Sequence, residues 1–321
     1  MTERGRFAPT PSGRLHVGSA RTALASQRSA QRAGGLHVLR VEDLDPARTK
    51  PGMVEAMLED LAWVGVSFDE GFRCANEAHG PYLQSQRGAL YRAALDVLRE
   101  RGAVYPCVCS RAEVEQAATA PHGAEPIYPG RCRERSEGEV FDEARRKGRG
   151  VAWRFRARAG LVSIEDEVSG RFEQDVARSV GDFVVFRADG VAAYQLAVVV
   201  DDVAMEITEV VRGVDLLAST PRQWLLYEAL GARPPRFAHI GLVVDDRGER
   251  LAKRDAGLSI AELRAAGASR EAVRDALLRS LGADNGGGAW RLDRSAAEPV
   301  TLGALRALGL PTDMPAKREG V

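Results

Sequence analysis

The stretch from Arg6 to Gly18 and the two segments that follow it constrain the fold most tightly. Residues 5–11 read as a short strand that ends in a turn carrying Pro9 and Pro11, and Gly13 to Gly18 form a loop. Ser19, a good N-cap residue, is expected to open a helix through Ala20, Ala23, Leu24 and Arg28. Gly34–Gly35 ends it. Leu36–Val41 then reads as a second buried strand, closed by the acidic run Glu42–Asp45. Met53, Met57, Leu58, Leu61 and Val64 fall at helical spacing, and Leu90, Leu95 and Leu98 suggest a further helix. Strand, helix, strand, helix in this order predicts an α/β fold with a doubly wound parallel sheet of Rossmann type.

The texture changes near Tyr105. Three cysteines, a loop rich in Ala, Pro and Gly at 117–130, a charged helix at 139–147 and strand-like runs at 151–157, 161–166 and 183–186 follow. The alternation of strands and helices returns with Ala193–Val200 and Glu209–Gly213, then a helix at 222–230 and a last parallel strand at His239–Val244. Ser259 and Glu262 are spaced as a capping box. The expected organisation is a first half of the catalytic fold at 1–102, an insertion at 103–190, a second half at 191–255 and a small helical C-terminal region at 256–321.

Bulk properties exclude little. Acidic and basic residues balance at 45 each in 321 residues, so the chain is not strongly basic as a whole, although a local basic patch would suffice to meet nucleic acid. No run approaches the roughly 18 apolar residues that a membrane span needs, and no hydrophobic signal region follows Met1, so a cytoplasmic location is expected, with no membrane partner and a monomeric state. Only Lys50, Lys147, Lys253 and Lys317 are lysines; the other basic residues are arginine. A lysine kept in such a chain suggests a need for an amine.

Five places carry chemistry. The loop at 6–19 sits where a helix N-terminus offers free N–H groups to phosphate, with His16 as a donor and Gly18 permitting close backbone approach. The acidic segment after the second strand, Arg40–Asp45, can hold a ribose hydroxyl or a substrate ammonium. Tyr194 and Arg212 begin and end the returning segments, and Arg250–Leu251–Ala252–Lys253–Arg254 is a charge cluster after the last strand. Cys107, Cys109 and Cys132 supply three soft ligands suited to zinc, and His122 is the natural fourth from chemistry alone.

Pro9-Thr10-Pro11-Ser12-Gly13-Arg14-Leu15-His16-Val17-Gly18 resembles the HIGH region of class I aminoacyl-tRNA synthetases, in particular the glutamyl/glutaminyl branch. Ser19 stands where that signature has its second histidine. The Lys253 run resembles the KMSK loop, with Arg250 and Ala252 in place of its first lysine and its serine. The resemblance implies ATP as a substrate, with Mg accompanying it, and an ATP site of His16, Gly18, Ser19 and Lys253. Of these, His16, Gly18 and Lys253 are the expected catalytic residues. It implies glutamate binding by Arg6, Phe7, Ala8, Pro9, Thr10, Glu42, Tyr194 and Arg212: two guanidiniums and a carboxylate complement two carboxylates and an ammonium. It also implies one structural zinc on Cys107, Cys109, Tyr128 and Cys132, with His122 kept as a rival to Tyr128.

Ordinary bacterial glutamyl-tRNA synthetases continue into a long helical anticodon-binding region. Residues 256–321 are expected to supply only a small helical piece, as in the glutamyl-queuosine tRNA(Asp) synthetase family, which activates glutamate with ATP and transfers it to queuosine in the anticodon of tRNA(Asp). Two alternatives stay open: a shortened glutamyl-tRNA synthetase that charges the 3′ end of tRNA(Glu), and a non-catalytic binding module.

Overall fold

The computed structural model describes residues 2–47, 49–117, 127–249, 251, 259–282 and 292–311. His122 and the run Ala252–Asp255, with Lys253, lie outside them, as does Arg250. The chain opens with β1 (Arg4–Phe7), α1 (Val17–Arg32), β2 (Leu36–Leu39), α2 (Met53–Trp63), β3 (Glu70–Gly71) and α3 (Gly88–Glu100). Then come β4 (Val104–Cys107), α4 (Arg111–Ala117), α5 (Glu137–Lys147), β5 (Ala152–Phe155), β6 (Leu161–Asp166), β7 (Gly170–Asp175), α6 (Val176–Ser179) and β8 (Phe183–Phe186). The rest comprises α7 (Tyr194–Ala204), β9 (Glu209–Gly213), α8 (Thr220–Leu230), β10 (Arg236–Ile240), β11 (Val243–Val244), α9 (Ile260–Ala265), α10 (Arg270–Arg279), β12 (Val300–Thr301) and α11 (Leu302–Ala307).

The central sheet has the order β10-β9-β1-β2-β3, and its pairings are parallel. β1 lies between β2 and β9, so the strand order reverses there. In open α/β sheets that reversal point, at the carboxyl ends of the strands, is where ligands bind. Side chains alternate across the sheet: Val38 packs into one apolar cluster with Leu98, Leu196 and Leu226, and Leu39 into the other with Leu24, Leu61 and Leu277. Helices therefore cover both faces, as the doubly wound expectation required. No helix among the described residues is long and apolar enough to cross a membrane.

Residues 104–186 build two antiparallel sheets of their own, β4-β5-β8 and the hairpin β6-β7. The hairpin's tip turns back onto β10, where the Glu167 amide donates to the Phe237 carbonyl at 2.9 Å.

Three local departures have physical reasons. α1 begins at Val17, ahead of Ser19, with His16 at the N-cap and no side chain closing the first turn. The Val-rich run at 194–200 is helical because burial from Gln195 to Asp202 overrides the strand preference of β-branched residues. The expected last strand divides at Gly241. A Cβ there would sit 1.9 Å from the Glu298 carbonyl oxygen, and the Gly241 amide donates to the Ala296 carbonyl at 2.7 Å. The chain thus leaves the main sheet, and β11 pairs with β12 instead. The capping box of Ser259 and Glu262 forms as expected.

Candidate functional site

A cavity of about 920 Å³ opens at the carboxyl ends of β1 and β9 and along the start of α1. Arg6, Phe7, Ala8, Pro9, Thr10, His16, Gly18, Ser19, Glu42, Tyr194 and Arg212 all line it, so every described residue expected to bind glutamate or ATP meets in one place. Ser12, Gly13, Arg14, Lys50, Thr22 and Asp215 line it too. Such a volume suits a small molecule of nucleotide size.

Backbone hydrogen bonds shape the rim. The Arg40 amide donates to Phe7 O at 3.1 Å and the Glu42 amide to Pro9 O at 3.0 Å, which carries β1 and β2 past the sheet edge side by side. Asp60 of α2 holds the glycine loop by accepting from the Leu15 amide at 3.2 Å and from Arg14 Nη1 at 3.4 Å. The loop then turns into α1, whose uncapped first turn faces the cavity at Gly18 and Ser19. A Cβ on Gly18 would meet only the Val243 side chain at 3.8 Å. The fold itself therefore does not demand glycine there, which leaves close approach of a ligand as its use. His16 bridges to Ser259, and the Ile260 amide donates to Leu15 O at 2.8 Å. Of the described residues on either side of the Lys253 run, Leu251 lines the cavity and Ser259 pairs with His16, which lines it too.

Beneath the cavity lies a buried charge network. Arg40, fully buried, donates to Asp202 at 2.6 Å and to Glu42 at 3.2 Å. Arg6 Nε reaches Asp202 at 3.4 Å. Asp201 takes Arg87 Nε at 2.5 Å, Gln84 at 2.7 Å and Tyr91 at 3.0 Å. Burial raises the Glu42 carboxyl above its ordinary range, against the opposing pull of Arg40 and Arg6. Burial likewise lowers Arg212, and Arg6 beside it adds to this while Tyr194 opposes it. A cavity wall with two guanidiniums and one carboxylate is what a dicarboxylate bearing an ammonium would complement.

Arg212 is held on one side only. Its Nε donates to His239 Nε2 at 2.9 Å and its Nη2 to Thr220 Oγ1 at 2.9 Å. Its Nη1 is buried and has no partner among the described residues. An orphaned buried donor is costly, so a site that keeps one has a use for it.

The comparisons with known proteins follow this geometry. Residues 3–288 match the family model described as tRNA synthetases class I (E and Q), catalytic domain. The chain belongs to this family. It is accordingly a ligase-type enzyme of the class I synthetase group, a family that implies ATP use. It is 50% identical over 278 residues to the glutamyl-Q tRNA(Asp) synthetase of Symbiobacterium thermophilum, a match that covers 84% of this chain and 83% of that one. It is 42% identical to the glutamate–tRNA ligase of Heliobacterium modesticaldum over 84% of this chain but 54% of that one. Among solved structures, the glutamate-tRNA synthetase of Elizabethkingia anophelis superposes with a TM-score of 0.82 at 26% identity, over 96% of this chain and 70% of that one.

Away from the cavity, Cys107, Cys109 and Cys132 place their sulfurs within 4.8 Å of one another. Tyr128 Oη lies 3.4 Å from Cys107 Sγ and 3.5 Å from Cys109 Sγ. Cys109 and Cys132 sulfurs are 3.7 Å apart. Two thiolates at roughly 2.3 Å from a tetrahedral zinc would be separated by about 3.8 Å, so the donor set fits that ion. Its chemistry does too: three soft sulfurs and a phenol, nearly all buried.

Several pairings that shape the site carried no sequence signal. Asp202 and Arg40 meet across 162 positions, and Asp166 and His239 across 73. No local pattern announces such pairs. A histidine inside a buried strand, as at His239, was the one available hint.

Proposed function

We propose that this enzyme activates L-glutamate with ATP and passes the glutamyl group to queuosine in the anticodon of tRNA(Asp). The observation that carries the glutamate half is the cavity wall of Arg6, Arg212 and Glu42, with Arg212 Nη1 left unpaired. Arg6 and Arg212 take the two substrate carboxylates, Glu42 takes the ammonium, and Tyr194 packs beside them. The run Phe7–Thr10 walls the same space. Similarity to a relative named for glutamyl-Q tRNA(Asp) supports the tRNA half.

In this reading, the ATP phosphates lie against the first turn of α1 at Gly18 and Ser19, with His16 donating to a phosphate oxygen. A glutamate carboxylate oxygen bonds to the α-phosphorus and the bond to pyrophosphate breaks. Lys253 neutralises the charge that develops on the leaving phosphates; Mg bound with ATP would supply further positive charge there. A hydroxyl of the queuosine cis-diol then bonds to the glutamyl carbonyl carbon, its proton is released and AMP departs. Vicinal hydroxyls of a cyclopentenediol and of a ribose present similar geometry, so positioning supplies much of this second step. Cys107, Cys109, Tyr128 and Cys132 would hold a structural zinc, which four protein ligands close to substrate.

The Heliobacterium relative favours a second reading, transfer to the 3′ end of tRNA(Glu). Glutamate-dependent exchange of pyrophosphate into ATP without tRNA tests the shared activation step, and its absence at saturating glutamate would sink both. Comparison of acceptor tRNAs separates the two.

A further inference from the structure

Outside the cavity, three groups converge on Arg212 from behind. His239 Nδ1 lies 2.5 Å from Asp166 Oδ2, and neither side chain is exposed. Asp166 belongs to the end of β6, in the hairpin that docks on β10, and not to the central sheet. An arginine Nε–H can only donate. His239 Nε2 must therefore accept from Arg212, which puts the histidine proton on Nδ1, facing Asp166. Thr220 Oγ1 accepts from Nη2 on the same edge of the guanidinium, 3.3 Å from His239 Nε2. Arg212 also lies over the Phe237 ring at 5.3 Å.

We propose that Asp166, His239 and Thr220 form a positioning clamp that fixes Arg212 so that its free Nη1 points at a substrate carboxylate. The clamp rests on the reading of Arg212 as a carboxylate ligand. It assigns the β6-β7 hairpin a part in amino-acid recognition: the hairpin reaches the substrate through a histidine tautomer. With Nε and Nη2 tied down, Arg212 keeps one direction for its remaining charge, and a bound carboxylate completes the set.

The geometry makes one substitution informative. Asp166 Oδ1 already accepts from three amides, Val168 at 3.1 Å, Ser169 at 2.7 Å and His239 at 3.0 Å. In Asp166→Asn the amide oxygen would keep those contacts and turn its NH2 toward His239 Nδ1. Nδ1 would then have to accept, the proton would move to Nε2, and two donors would face each other at Arg212. The three amide contacts that anchor residue 166 are kept while the clamp is reversed.

Histidine side-chain 15N NMR should show Nδ1–H at His239 in the wild type and Nε2–H in Asp166→Asn. In pyrophosphate exchange, the variant's KM for glutamate should rise on the order of tenfold to a hundredfold, with the KM for ATP unchanged. If the tautomer does not switch, the clamp is wrong. If it switches and the glutamate KM stays put, Arg212 is not a carboxylate ligand and the reading beneath the clamp fails instead. Should Asp166→Asn not fold, Thr220→Val must raise the glutamate KM and Thr220→Ser must restore it. Equal KM values for Val and Ser would overturn the proposal.

Discussion

Arg40 Nη1 and Asp202 Oδ1 lie 2.6 Å apart beneath the cavity, both almost wholly buried. Asp202 also anchors Arg6, and Arg40 also anchors Glu42, so this one pair carries two of the groups on the cavity wall. Removing one partner of a buried pair strands the other's charge. Asp202→Ala should cost about 3–5 kcal/mol in denaturant unfolding and raise the glutamate KM as Arg6 loses its brace. A loss below about 1 kcal/mol would mean the network is not the floor of the site.

Acid should begin to destabilise the protein just below neutral pH through a buried histidine. Burial lowers His37 from its ordinary value to about 4, although the Ser67 carbonyl and Asp69 work against this. The unfolded chain thus binds a proton near pH 6.5 that the folded one refuses. The stability tied to neutral His37 is full above pH 6.5 and is lost as pH falls toward 4. Between pH 7 and 5 the loss should approach 2 kcal/mol. His37→Gln should remove its share of that slope in urea titrations at the two pH values, the buried His239 adding a loss of the same sign, and an unchanged slope would assign it elsewhere.

The cysteine cluster predicts one zinc per chain by atomic absorption. Cys132→Ser should lose the metal and lower the thermal midpoint by several degrees. Glutamate binding should be intact at low temperature, since none of the cluster lines the cavity. Purified protein that is free of metal and as stable as before would contradict the assignment.

Lys253→Ala should slow pyrophosphate exchange on the order of a hundredfold or more while the dissociation constant for glutamate moves little. The lysine acts on charge that exists only as pyrophosphate leaves, so a ground-state effect of similar size would remove it from that role.

Much of this was legible from spacing. The loop at 9–18 and the acidic end of β2 stood out because each sits where a strand of a parallel sheet meets its loop, and the chain marks those junctions with Pro, Gly and charge; Tyr194 and Arg212 came only from the resemblance to the glutamyl/glutaminyl branch. What resisted reading was of another kind. Ser19 looked like a helix cap, yet α1 starts at Val17 with its first turn uncapped toward the cavity. The division of the last strand at Gly241 depends on the backbone of residues 296–298 approaching from a distant part of the chain. The clamp on Arg212 needs Asp166 from the hairpin and His239 from β10, a contact created by docking and not by any local pattern.

The most direct test of the whole account is transfer of labelled glutamate to two samples of tRNA(Asp), identical except that one carries queuosine. The account predicts label only on the queuosine-bearing tRNA, released by mild base and located in the anticodon. Equal labelling of both samples, or label on the 3′ end of tRNA(Glu), would contradict it.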